Sequence, residues 1–246
     1  MNKLIKPAVS TSDIFWFSIR DIKSDPIFFL LCLFPIYLLI ATANTFNDII
    51  IVYNDYQNWE KFYSNKDFSI GLAYIFIESY VLAAIALIIH NKVIKKKLVF
   101  NFFSRELFIY LFFYLISTHS TFLLETIMMV LAEKIPILGI VLFFSVTIIV
   151  LLFLLTFWFW ILYLPNMAVR DKYSFMHIFK NSKGARLTLF FKIFYYLIFL
   201  IPGLVIYFLF NEHFATIIVI PTMILFGIVM LSNTYLEWLL LEKNRK

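Results

Sequence analysis

The chain has 246 residues, of which 63% are hydrophobic, and its mean hydropathy is +0.90, well beyond the roughly 45–50% apolar content of soluble domains. Its formal net charge of +6 comes from 21 Lys and Arg against 15 Asp and Glu, and these cations are dispersed among several loops. A positive balance of this size is what the inward-facing loops of a membrane protein produce, so no nucleic-acid partner is expected; that would need one compact basic surface.

In hydrocarbon the backbone must pair within the chain, so the choice lies between a helix bundle and a closed barrel. Barrel strands alternate in polarity over about 10 residues, whereas the apolar runs here are continuous and near the ~20 residues a crossing helix needs. The fold class expected is all-α: a polytopic membrane protein with six transmembrane helices. Three regions follow: a cytoplasmic amphipathic segment at 1–26, a six-helix transmembrane domain at 27–239 and a basic cytoplasmic tail at 240–246. The 31 Phe and 14 Tyr read as bulk filling of lipid-facing surface. Cys32 stands alone, so no intrachain disulfide or cysteine-based metal site is available.

At the N-terminus, Ile14, Phe15, Phe17 and Ile22 can share one side of a short helix whose other side carries Asp13, Arg20, Asp21 and Lys23, a pattern suited to the membrane surface. No clear signal-peptide core or cleavage site precedes the first apolar run, which is expected to stay attached as a signal anchor. Six runs follow: Ile27 to Phe46, Ser69 to His90, Leu107 to Leu131, Ile137 to Leu164, Leu187 to Phe210 and Thr216 to Leu239. Pro35, Pro202 and Pro221 fall inside runs and are expected to kink or open their helices, with Pro202-Gly203 the most hinge-like point.

Eighteen of the 21 Lys and Arg fall on one side of this layout, leaving only Lys61, Lys66 and Lys134 on the other. By the positive-inside rule both termini are cytoplasmic. The one sizeable outer loop, Asn47 to Asp67, spaces Tyr53, Tyr56, Trp59, Phe62 and Tyr63 at roughly helical intervals, as a helix on the outer membrane surface or a docking surface would. Basic, partly amphipathic segments precede the first, third and fifth runs: FWFSIRDIKSDP, KKKLVFNFFSRE and FMHIFKNSKGAR. They suggest three units of elbow helix plus hairpin on the cytoplasmic side.

Ionisable groups inside the runs are few and costly in lipid: Glu78, His119 and Glu125. Glu78 and His119 lie at similar depth and form the candidate intramembrane polar site. They read either as a proton or ion site or as interhelical packing groups. His90, His119, His177 and His213 are scattered, and no HExxH, GxSxG or Gly-rich phosphate loop occurs, so neither enzyme nor cofactor is expected.

Within Leu164 to Thr188, Pro165 ends the fourth run, and Asp171 or Ser174 can cap a short helix with Phe175, Ile178, Phe179 and Ser182 on one face. At Pro165, Val169, Asp171, Lys172 and Ser182 the chain resembles the YciC-like family of bacterial inner-membrane proteins. More widely, it resembles the membrane domains that accompany some glycerophosphodiester phosphodiesterases. The resemblance implies a multi-pass protein of the bacterial inner membrane in contact with membrane lipids, and carries over no phosphodiesterase activity. A non-enzymatic envelope accessory or structural role is the leading expectation, with a protein partner or homo-oligomer possible. The alternative is a small transporter or lipid-handling permease using Glu78 and His119.

Overall fold

A computed structural model describes residues 11–51, 66–99, 103–116, 159–170, 173–182 and 212–243, with isolated positions between 141 and 152. Among the described residues every regular element is a helix. In chain order these are α1 (Thr11–Ser24), α2 (Pro26–Ile51), α3 (Lys66–Lys95), α4 (residues 105–116), α5 (residues 159–168), α6 (Phe175–Ser182) and α7 (Glu212–Lys243). Two helices are long and apolar enough to cross a membrane, over Ala73–Lys95 and Val219–Lys243. A third qualifies if the bent pair Asp13–Ser24 and Pro26–Leu39 counts as one span.

These candidates contain or overlap the first, second and sixth apolar runs. The third run is described only at its start, the fourth only in part, and the fifth lies outside the described residues, as do Pro202 and most of the outer loop. The described helices therefore number fewer spans than the six expected. Pro35 and Pro221 sit inside α2 and α7, which continue through them.

The bend of 96° between α1 and α2 turns on Asp25 and Pro26. The Asp25 carboxylate accepts from the Phe28 amide at 3.3 Å, capping α2, while Pro26 takes the first helical position, where an amide hydrogen would have no intrahelical partner. Helix α1 is thereby thrown across the bundle end as an elbow. It buries Ile14 and Ser18 and leaves Trp16 and Phe17 exposed, with the Arg20 guanidinium 5.0 Å from the Phe17 ring centroid. This differs from the apolar side drawn through Phe17. Ser18 fits the buried face because its hydroxyl donates to the Ile14 carbonyl at 2.8 Å and so loses little on leaving water.

The middle elbow expected at KKKLVFNFFSRE is not helical at 96–99 or 103–104. Helix α3 stops at Lys95, and Lys96 turns the chain through a left-handed φ of 55°. The chain then leaves Leu98, Val99 and Phe103 exposed. Two of the three proposed elbows, α1 and α6, are helices.

Helix α3 lies at the centre. Its buried positions Ser79, Ala83, Ala86 and His90 recur at spacings of four, three and four, forming one stripe along the helix. Small side chains there let α7 approach closely, the two helices forming the most extensive interhelical contact. Around this contact Phe29 and Ile36 of α2, Leu107 and Tyr110 of α4, Leu164 of α5 and Ile228 of α7 close one core. A second core gathers Phe159 and Leu162, Ile178 of α6, and Tyr235 and Trp238 of α7. The outer face of α2 exposes Ile27, Leu30, Leu31, Phe34 and Leu38, and Val141, Phe144, Ile148 and Leu152 make a similar stripe. Such surface is far more apolar than water-facing helices present.

Ala83 is fully buried against this contact. Ala83→Leu is expected to cost about 1–3 kcal/mol by overpacking, whereas Leu30→Ala on the outer stripe should change stability by less than about 0.5 kcal/mol. Loss of helical circular dichroism during titration with a denaturing detergent compares the two.

Candidate functional site: the basic helix ends

Helices α3, α5 and α7 arrive at one end of the bundle, and α2 and α4 leave from it. The described polar side chains concentrate there. Helical ends leave backbone groups unpaired, and most of the side chains at this end supply partners or tie one helix to another.

Asn233 of α7 is the joint for α1. Its Nδ2 donates to Ser18 Oγ and to Asp21 Oδ2, both at 3.1 Å. Asp21 also pairs through Oδ1 with Lys96 Nζ at 3.2 Å. One carboxylate thus joins α1, α7 and the turn after α3. Next to it, Lys92 of α3 reaches Asp25 Oδ2 at 2.6 Å and lies 5.3 Å from the Phe28 ring centroid, locking the α1–α2 bend onto α3. The hydrogen bond from Lys92 holds the Asp25 carboxyl below its ordinary value; partial burial opposes this, and the Phe28 amide and the Lys92 charge reinforce it.

Deeper in the bundle, Ser232 donates to the Ile228 carbonyl at 2.9 Å, so it meets His90 Nδ1 as an acceptor at 2.7 Å. That arrangement requires the ring hydrogen on Nδ1. The His90 ring lies 5.8 Å from Tyr110, centroid to centroid. The Tyr110 hydroxyl and the Ser79 hydroxyl are buried with no hydrogen-bond partner.

Helix α5 is tied in through its last turn. Asn91 Nδ2 donates to the carbonyls of Leu87 and Ala168, each at 3.0 Å. Lys95 donates through Nζ to the Val169 carbonyl. Tyr235 donates to Asn166 Oδ1 at 2.9 Å, and Asn166 in turn donates to the Tyr173 carbonyl at 3.0 Å. Arg170 ends the helix at a left-handed φ of 50° and grips Glu106 with two nitrogens, both at 3.2 Å. Helix α6 is capped by Ser174, whose hydroxyl accepts from the His177 amide at 3.3 Å. Its Asn181 donates to Glu242 of α7 at 2.9 Å, and His177 Nε2 lies 3.2 Å from the same carboxylate oxygen.

Of the residues singled out in the sequence, Glu78 is half-buried on α3, one turn beyond Tyr74, whose hydroxyl donates to the Leu39 carbonyl at 2.6 Å. His119 lies outside the described residues, as do Glu125, Asp171 and Lys172. Pro165 and Val169 are buried near the end of α5, and Ser182 is the last residue of α6. The end-of-bundle network was missed because only ionisable groups within the runs were weighed. The signal was present as Ser232-Asn233-Thr234 inside the last run and as the His90-Asn91 pair at the close of the second. Among the described residues no group of three or more His, Cys, Asp or Glu side chains is placed to hold a metal ion.

Asn233→Ala removes both ties from α7 to α1 and leaves Asp21 paired with Lys96 alone, and should destabilise by about 1–3 kcal/mol. Accelerated proteolysis near α1, ahead of global unfolding, is the expected readout. Because the Asp25 carboxyl is held below its ordinary value, its contribution is complete above about pH 4 and is lost as pH falls through the lower folded value. Between pH 6 and pH 3, Asp25→Asn should therefore show a smaller fall in melting temperature than the parent. The chain matches no protein-family model, and no curated protein or solved structure matches it.

Proposed function

We propose that this is an integral, multi-pass protein of the bacterial inner membrane with a non-enzymatic accessory or structural role in the envelope. The observation that carries the proposal is the use made of the polar side chains at the basic end. Asn91, Asn166, Asn233, Ser232, Asp21 and Glu242 are engaged in fastening helices to one another. A bundle so fastened holds a fixed surface in the membrane. The exposed apolar stripes on α2 and over 141–152 support burial in lipid.

The direction of the helices supports the six-span layout. Successive apolar runs alternately leave and arrive at the basic end in α2, α3, α4 and α5, and α7 arrives there as a sixth run should. With the cations gathered at that end, the positive-inside rule makes it cytoplasmic, together with both termini. A YciC-like relationship is proposed on the sequence resemblance at Pro165, Val169, Asp171, Lys172 and Ser182 alone.

A second reading, a small transporter, is favoured by Glu78 inside a candidate span next to Ser79, whose buried hydroxyl has no partner among the described residues. Two measurements separate the readings. Cysteines substituted at Lys23 and Lys243, in a Cys32→Ser background, should resist a membrane-impermeant maleimide in intact spheroplasts and react after lysis; labelling before lysis would overturn the orientation. Purified protein in proteoliposomes under a pH gradient should give no ion flux above empty vesicles. A flux abolished by Glu78→Gln would replace the accessory reading with the transporter.

A further inference from the structure

At the basic end a cleft of about 320 Å³ opens between the end of α3, the start of α4 and the end of α5. Its buried lining is Leu87, Ala168 and Val169 with the polar Asn91 and Ser104, and it carries Lys95, Lys97 and Arg170 against the single carboxylate of Glu106. The cations are not exhausted by their protein contacts. Arg170 uses two of its nitrogens on Glu106 and Lys95 donates to one carbonyl, while these side chains offer five and three donors respectively. Lys97 is exposed and has no ion-pair partner among the described residues. Ser104 caps α4 by accepting from the Leu107 amide at 3.2 Å, so the positive end of that helix also faces this region.

The shape of the mouth is imposed by the backbone. Lys96, immediately before Lys97, and Arg170, in the lining, are the two non-glycine residues with positive φ among those described, at 55° and 50°. Left-handed backbone is unfavourable at a residue with a Cβ. Here it turns Lys97 away from the α3 axis and stops α5 where the Arg170 side chain can reach Glu106.

The surroundings identify the source of an anion. Leu98, Val99 and Phe103, in the segment leading from α3 to α4, are exposed at 63%, 51% and 85%. Large apolar side chains in that position belong in acyl chains, and put the cleft at headgroup level. We propose that this cleft binds the phosphate headgroup of an anionic phospholipid, with Lys97 and the spare donors of Lys95 and Arg170 on the phosphate and the lipid chains running past Leu98, Val99 and Phe103. The proposal rests on membrane embedding, which the labelling experiment tests separately.

Native mass spectrometry of the detergent-purified chain, titrated with dioleoyl phosphatidylglycerol or dioleoyl phosphatidylcholine, tests it. The anionic lipid should bind at least about tenfold more tightly. Lys97→Gln should weaken it about fivefold, the share of one cation near a headgroup. Lys180→Gln, which removes an exposed lysine on α6 outside the cleft, should not. Lys97→Gln is a safe variant for folding because Lys97 supports no described contact. Equal binding of the two lipids, or equal losses in Lys97→Gln and Lys180→Gln, would overturn the site. Displacement of the lipid by glycerol 3-phosphate at a similar concentration would overturn the lipid source and assign the cleft to a soluble phosphate.

Discussion

The arrangement of this protein depends on one constraint: a polar group withdrawn into an apolar bundle must find its partner on a neighbouring helix. At the basic end that constraint is met pair by pair. Asn233 faces Ser18 and Asp21, Ser232 faces His90, Asn91 faces Ala168, and Tyr235 faces Asn166. Each such interhelical bond contributes on the order of 1 kcal/mol in a membrane. Their larger effect is on uniqueness, because sliding or rotating any one helix would leave several buried donors and acceptors unpaired at once.

Packing and polarity divide the length of the central helix. Along its middle, Ala83 and Ala86 offer no polar handle and bring α7 in by shape. Towards its end, His90, Asn91, Lys92, Lys95 and Lys96 each meet a different structural partner: α7, α5, the α1–α2 bend, the residue after α5, and α1. The small-residue part sets the distance between helices, and the polar part sets their register. Neither would suffice alone, since dispersion forces between smooth apolar surfaces tolerate sliding.

Much of this was legible in the chain, and the failures have identifiable causes. The runs Ile27 to Phe46, Ser69 to His90 and Thr216 to Leu239 lie within α2, α3 and α7, because continuous apolarity over a membrane's width leaves the backbone few options. Ser174 was named as one of two possible caps for the short helix and fills that role. The middle elbow was misjudged: basic and aromatic residues in KKKLVFNFFSRE resemble those of α1, but the left-handed turn at Lys96 ends the helix there. Asn233 and Ser232 were passed over because uncharged amides and hydroxyls barely lower the hydropathy of a long run. Their importance comes from what α1 and α3 place opposite them, which is information held about 215 and 142 residues away. His119 was paired with Glu78 on depth alone, and its position lies outside the described residues.

The tie between Ser18 and Asn233 joins the first described helix to the last. During synthesis the elbow helix emerges well before its amide partner on α7, which lies 215 residues further along the chain. Until α7 inserts, Ser18 has the Ile14 carbonyl, Asp21 has Lys96 and the α1–α2 bend has Lys92, but α1 lacks the contacts that α7 supplies. Insertion of α7 is then what finishes the seating of α1 on the bundle. A nascent or truncated product lacking α7 would display a less firmly held aromatic helix bearing Trp16 and Phe17, the kind of incompletely docked segment that membrane proteases engage. The same contact that closes the bundle thus distinguishes chains in which α7 has docked from those in which it has not.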